Sequence, residues 1–283
     1  MSILNTIFSS QRPPSSQLHI DTESDNYGIG EGLTFHSTAE DNIAIGSEAL
    51  NSTGASNAYR NIGIGSNSAT ALTTADDNVA IGTDALLTHQ SGSNNVAIGS
   101  DALDGTGAGG TTGAGSTDNI AIGKDALGGA WANTQSDYNI AIGSSALGGA
   151  IDNTGGNSDG TIAIGASALT ALTTGAKNLA IGYTAGTAVD TDIGNTLLGY
   201  EVGKGLNGGS ANYNTAIGGL ALTSATVNSA RNTAIGYTAM TGLVGGTVAD
   251  WNLYGDPGQI YFYQGFYGGG KIGFNDAVGY TFL

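Results

Sequence analysis

Asn119-Ile120-Ala121-Ile122-Gly123-Lys124-Asp125-Ala126-Leu127-Gly128 reads as a short strand, a sharp exit and a second, shorter segment. Period-two alternation puts Ile120 and Ile122 on one face and Asn119, Ala121 and Gly123 on the other. β-Branched isoleucine suits a pleated surface, and Gly123 lets the chain leave the strand through a positive φ. Asp125-Ala126-Leu127 can then return Leu127 against the isoleucines of adjoining segments. A segment this short cannot bury its own apolar residues.

Outward from this stretch, Asn-x-Ala-Ile-Gly followed two residues later by Ala-Leu, or a close variant, opens at Asn42, Asn61, Asn78, Asn95, Asn119, Asn139, Asn178, Asn195, Asn214 and Asn232, with degenerate copies at Asn26 and Thr161. The spacing runs from 16 residues (Asn26 to Asn42) to 24 (Asn95 to Asn119). Units this small gain stability by stacking on their neighbours, so the pattern predicts an all-β parallel β-roll, a β-solenoid of about twelve coils. At ~4.8 Å per coil the rod is on the order of 55 Å long. Ile45, Ile64, Ile81, Ile98, Ile122, Ile142, Ile164, Ile181, Ile217 and Ile235 are expected to form one interior column. The recurring Asn is expected to stack as an amide ladder or cap the entering turn; the alternative for it is a glycan or metal ligand.

Composition narrows the function. Gly 49 with Pro 3 and no Gly-x-y triplet excludes collagen, and glycines fixed beside isoleucine argue against a featureless linker. A net charge of −16 repels phosphate backbones, so no nucleic-acid partner is expected. Zero Cys removes disulfides, thiolate zinc sites and thiol catalysis. No run approaches the ~20 apolar residues of a membrane helix, so no membrane insertion is expected, and Met1–Phe8 lacks the features of a secretion signal. His19, His36 and His89 fall at unrelated places in the repeat, and no nucleophile elbow occurs, so no catalytic residue is assigned. Asp41, Asp76, Asp77 and Asp118, just before the Asn, raise calcium as a ligand, but they lack the spacing of calcium-binding β-rolls. Turn chemistry accounts for them equally well; no metal or cofactor is expected, with calcium as the alternative.

The ends differ from the middle. Residues 1–25 carry an apolar run (Ile3, Leu4, Ile7, Phe8) and a stiff Pro13-Pro14 stretch, and are read as a particle-attachment segment. Residues 26–245 are the β-roll. Residues 246–283 form an aromatic-rich cap or tip, with strands expected around Gly268-Gly269-Gly270 and Trp251, Tyr254, Tyr261, Phe262, Tyr263, Phe266, Tyr267 and Tyr280 as receptor-binding or trimer-capping side chains. From Trp251 onward the repeat is expected to stop.

Asn-x-Ala-Ile-Gly units from about Asn26 to Met240 resemble the head repeats of trimeric autotransporter adhesins. The version with Ala-Leu after Ala-Ile-Gly is similar to repeats in fibres of tailed bacteriophages. The resemblance implies a left-handed roll packed as a homotrimer. It further implies a virion structural fibre, on tail or capsid, assembled in the host cytoplasm, with other virion proteins at its N-terminus and a host-surface glycan or protein at its tip. A bacterial surface adhesin fragment is the alternative, and a polysaccharide-cleaving tailspike a lesser one.

Overall fold

The computed structural model describes residues 17–21, 24–33, 35, 38–51, 57–107, 115–129, 135–149, 158–206, 210–223, 230–241 and 253–255. Their strands form one sheet whose spatial order is the chain order. They are β1 (Gln17–Asp21), β2 (Asn26–Gly30), β3 (Ile43–Ile45), β4 (Ile62–Ile64), β5 (Val79–Ile81), β6 (Val96–Ile98), β7 (Ile120–Ile122), β8 (Ile140–Ile142), β9 (Ile162–Ile164), β10 (Leu179–Ile181), β11 (Thr196–Leu198), β12 (Thr215–Ile217), β13 (Thr233–Ile235) and β14 (Leu253–Gly255). From β2 onward every pairing is parallel and in repeat register, Ala121 opposite Ala141 and Ile122 opposite Ile142. The protein is a parallel β-solenoid in which each unit supplies one coil.

The two faces of the strand are the reverse of the sequence expectation. The alanines and asparagines point inward: Asn119, Ala121, Ala126 and Leu127 are fully buried. The isoleucines stack in a column, but on the outer face, where Ile45, Ile122, Ile181, Ile217 and Ile235 are exposed and Ile64, Ile81, Ile98, Ile142 and Ile164 half-buried. At the inward strand position the coil leaves room for little more than a methyl group, and the β-branched apolar residues that are buried, Val189 and Val202, sit off the strands. Two alanines and a leucine per coil already fill it, and added methylenes in a filled interior cost more than their burial returns.

Counting the repeat Asn as position 0, the core conserves volume from coil to coil. Among the described residues position +2 is Ala or Gly except at Leu197, and position +8 is Leu, Ala or Met except at Gly186 and Gly203. These exceptions belong together. A Cβ on Gly186 or on Gly203 would lie 2.8 Å from a methyl of Leu197, so the one large residue occupies the space that two missing ones leave.

The buried asparagines are satisfied by a ladder. Asn42 Oδ1 accepts from the backbone N–H of Asn61 at 2.8 Å and from its Nδ2 at 3.2 Å, while Asn42 Nδ2 donates to Asn26 Oδ1 and to the Ala58 carbonyl. The pattern continues through Asn61, Asn78, Asn95, Asn119 and Asn139, and again from Asn178 to Asn232. An amide so bonded can be buried without the usual cost of an unpartnered polar group.

At both ends the sheet extends past the repeat. Gln17–Asp21 belongs to the sheet, pairing antiparallel with β2, so part of the expected attachment segment covers the first edge of the parallel stack and blocks further pairing there. Beyond Trp251, Leu253–Gly255 adds one more parallel rung on β13, so the stacking outlasts the recognisable repeat. The strands expected around Gly268–Gly270 lie outside the described residues.

Candidate interaction surface

The outer sheet face carries the exposed isoleucines of the described coils. Each strand offers positions +1 and +3 outward: Ile43 and Ile45, Ile120 and Ile122, Ile140 and Ile142. In-register stacking merges them into two columns running the length of the rod. From β11 to β13 the first column changes chemistry to Thr196, Thr215 and Thr233, while the +3 column stays apolar with Leu198, Ile217 and Ile235. A continuous apolar face left uncovered marks a contact surface.

Two columns flank this face. At position −1, just before the Asn, every described residue takes a left-handed backbone: Asp41 (φ 60), Arg60 (φ 57), Asp118 (φ 57), Tyr138 (φ 61), Lys177 (φ 59), Tyr213 (φ 59) and Arg231 (φ 56) among them. This turn brings the chain round into the strand. Arg60 donates from Nε and Nη2 to the two carboxylate oxygens of Asp77, one coil along, at 2.7 and 2.8 Å, which holds the Asp77 carboxyl below its ordinary range. Arg231 lies over the Tyr213 ring, 6.0 Å from its centroid. On the other side, after the Gly at +4, position +5 carries Ser, Thr, Lys or Ala in the middle coils and, near the end, Tyr183, Tyr200 and Tyr237 with Gly219 among them. Tyr183 and Tyr200 stack with centroids 5.8 Å apart and planes 10° apart. Tyr200 donates its hydroxyl to Glu201 Oε1 at 2.8 Å, and Lys204 donates to Glu201 Oε2 at 3.1 Å. These hydrogen bonds raise the Tyr200 phenol above its usual pKa and lower the Glu201 carboxyl.

The acids raised as calcium ligands serve the turns. Asp76 Oδ1 accepts from the Tyr59 backbone N–H at 2.9 Å, tying one coil to the previous one, as Asp137 Oδ1 does from Thr117 at 2.7 Å and Asp159 Oδ1 from Asp137 at 2.9 Å. Asp77 pairs with Arg60, and Asp41 and Asp118 occupy left-handed turn positions. Among the described residues no group of three or more His, Cys, Asp or Glu is placed to hold a metal ion.

The aromatic candidates Trp251, Tyr261, Phe262, Tyr263, Phe266, Tyr267 and Tyr280 lie outside the described residues, as do Ile3, Leu4, Ile7, Phe8, Pro13 and Pro14; Tyr254 is placed by its backbone in β14, opposite Ala234. Sequence reasoning missed the lateral tyrosines. Their signal was position: Tyr138 and Tyr213 immediately precede the repeat Asn, and Tyr183, Tyr200 and Tyr237 immediately follow the repeat Gly. No protein-family model, curated protein or solved structure matches the chain.

Proposed function

We propose that the protein is the structural fibre of a tailed-phage-like virion, a homotrimeric rod that spans a distance and presents a tip to the host surface. The observation that carries this reading is the uninterrupted stack of parallel coils with one apolar face left outward. A solenoid gives length and stiffness, and its thin Ala, Leu and Asn interior offers no groove for a reaction. The outward Ile and Val columns call for burial against other copies. Residues 1–25 dock to other virion proteins, with β1 closing the first coil, and residues 246–283 supply the cap or the contact with a host glycan or protein. Several weak tip contacts held on one rigid body multiply into useful avidity. The protein acts without catalysis, cofactor, nucleic acid or membrane insertion, and resides in the particle.

Two measurements on the full chain test this. Sedimentation at micromolar concentration should give a trimer, and a folded monomer would defeat the assembly. Imaging of particles should show the rod attached by its N-terminal end; particles that incorporate a chain lacking residues 1–16 as well as the intact one would refute the attachment role.

A further inference from the structure

We infer that copies of this chain associate parallel and in coil register, with the position −1 edge of one copy against the position +5 edge of the next. The inference rests on the homo-oligomer proposed above and adds its register and contacts. Copies related by rotation about an axis along the rod, with their sheet faces inward, bring the left edge of each sheet to the right edge of its neighbour. This holds whether two or three copies close the ring. Residues at −1 and +5 of the same coil are then placed opposite one another across the interface.

The residues at these positions complement each other in the coils from Asn119 onward, apart from the small pair Gly160 and Ala166, whereas the coils from Asn42 to Asn95 set Asp41, Arg60, Asp77 and Asn94 against a Ser or Thr. Where +5 is Tyr183 or Tyr237, position −1 of the same coil is Lys177 or Arg231, a cation for a ring face. Where +5 is Tyr200, position −1 is Gly194; where +5 is Gly219, position −1 is Tyr213. An aromatic ring stands at −1 or at +5 of a coil and never at both. Lys124 stands against Asp118, and Tyr138 against Ser144. The first coil departs from this, with Asp25 and Glu31 both acidic.

Contacts within one chain do not produce this pattern. The two positions flank the strand on opposite sides, with the outward +1 and +3 side chains between them, a separation of roughly 20 Å along an extended chain. The contacts that these residues make in their own chain run along the columns, Tyr183 on Tyr200, Arg231 on Tyr213, and the Tyr213 ring over Gly194, where a Cβ would meet it at 2.7 Å, or reach the next residue in sequence, Lys124 to Asp125 and Tyr200 to Glu201, each at 2.8 Å. Column packing therefore accounts for neighbours one coil apart and leaves the match across the sheet to the adjoining copy.

Because the chain has no cysteine, introduced thiols report without background. The full-length variants Lys177→Cys and Tyr183→Cys are each oxidised alone and after co-refolding with the other. Neither alone should give linked chains, the mixture should give linked pairs, and the double variant should link every chain of the assembly. Self-linking of either single variant, or a mixture that stays unlinked while sedimentation shows an intact oligomer, overturns the edge pairing and leaves the oligomer standing. A monomeric wild type removes the oligomer itself. As a second arm, Lys124→Asp should raise the dissociation constant at least tenfold and the double change Asp118→Lys/Lys124→Asp should restore it to within about threefold; a double variant no tighter than the single one also overturns the pairing.

Discussion

Thr161 donates its backbone N–H to Asn139 Oδ1 at 2.9 Å yet leaves its own Oγ1 buried without a partner. Asn139 is therefore the last amide of one ladder, and Asn178 opens the next. The gap is a defect in an otherwise repeated hydrogen-bond system. Thr161→Asn should close it: the new Oδ1 would accept from the backbone and amide of Asn178, and the new Nδ2 would donate to Asn139. A satisfied buried amide in place of an orphaned hydroxyl is worth about 1–3 kcal/mol, so the thermal midpoint should rise by several degrees. A midpoint at or below wild type would show that the ladder does not tolerate joining there.

Ala121 and Ile122 are neighbours with opposite fates, one sealed inside the coil and the other on the outer face. Ala121→Asp should abolish folding, because a carboxylate inside the stack has neither room nor a counter-ion. Ile122→Asp should leave circular dichroism and protease resistance of the isolated coil stack nearly unchanged while breaking association between copies. If Ile122→Asp unfolds the chain as thoroughly as Ala121→Asp at concentrations where the wild type is monomeric, the outward placement of the isoleucines is refuted.

How this inversion escaped the sequence is instructive. The period, the strand positions and the stacked asparagines were legible because they depend on spacing alone. The facing was not, since alternation defines two faces without naming the inner one, and apolarity favours isoleucine for the interior. The discriminating signal was tolerance. Position +2 holds Ala or Gly in every coil but that of Leu197, as a crowded site requires, whereas position +1 accepts Ile, Val, Leu and Thr. Leucines with positive φ, such as Leu127 (φ 50) and Leu147 (φ 50), carried no sequence signal either, because leucine has no intrinsic preference for that region and the tight coil imposes it. The lateral tyrosines went unnoticed because the attention that aromatics draw went to the C-terminal cluster.

His89 makes the stack acid-sensitive. It is fully buried, its N–H bonded to the Leu86 carbonyl in the same turn that Leu172 makes with Leu169 and Leu206 with Gly203, and its Nε2 lies 2.9 Å from the Gly92 carbonyl oxygen. Burial pushes its pKa down from 6.5 to about 4, against a smaller opposing effect of that hydrogen bond. The folded state holds His89 neutral while the unfolded chain takes up the proton, so its contribution is complete above pH 6.5 and declines toward pH 4. Between pH 7 and pH 5 this amounts to roughly 2 kcal/mol. Asp104, raised to about 6 by burial, works in the opposite sense, losing stability as pH rises through that value. Comparison with His89→Leu isolates the histidine, since leucine fills the equivalent turn elsewhere. Denaturant midpoints of the two proteins should diverge as pH falls, and parallel curves would refute the assignment.

Gly123 shows how closely the coils approach. Its φ is 131°, and a Cβ built there would sit 2.7 Å from the carbonyl carbon and oxygen of Gly143, backbone atoms that cannot move aside without breaking the ladder. Gly99, Gly143 and Gly165 repeat the arrangement, each against the glycine of the next coil. Gly123→Ala should therefore cost more than the ~1 kcal/mol of an ordinary left-handed alanine, because strain in φ is joined by a backbone collision. An expected loss of about 3 kcal/mol or more would appear as a large drop in the denaturant midpoint. The control is Gly160→Ala, at a turn with φ 65 and open space where the Cβ would go, which should lose only the conformational part, about 1 kcal/mol. Equal losses at the two sites would show that coil spacing relaxes freely and that the Gly-on-Gly contact does not set it.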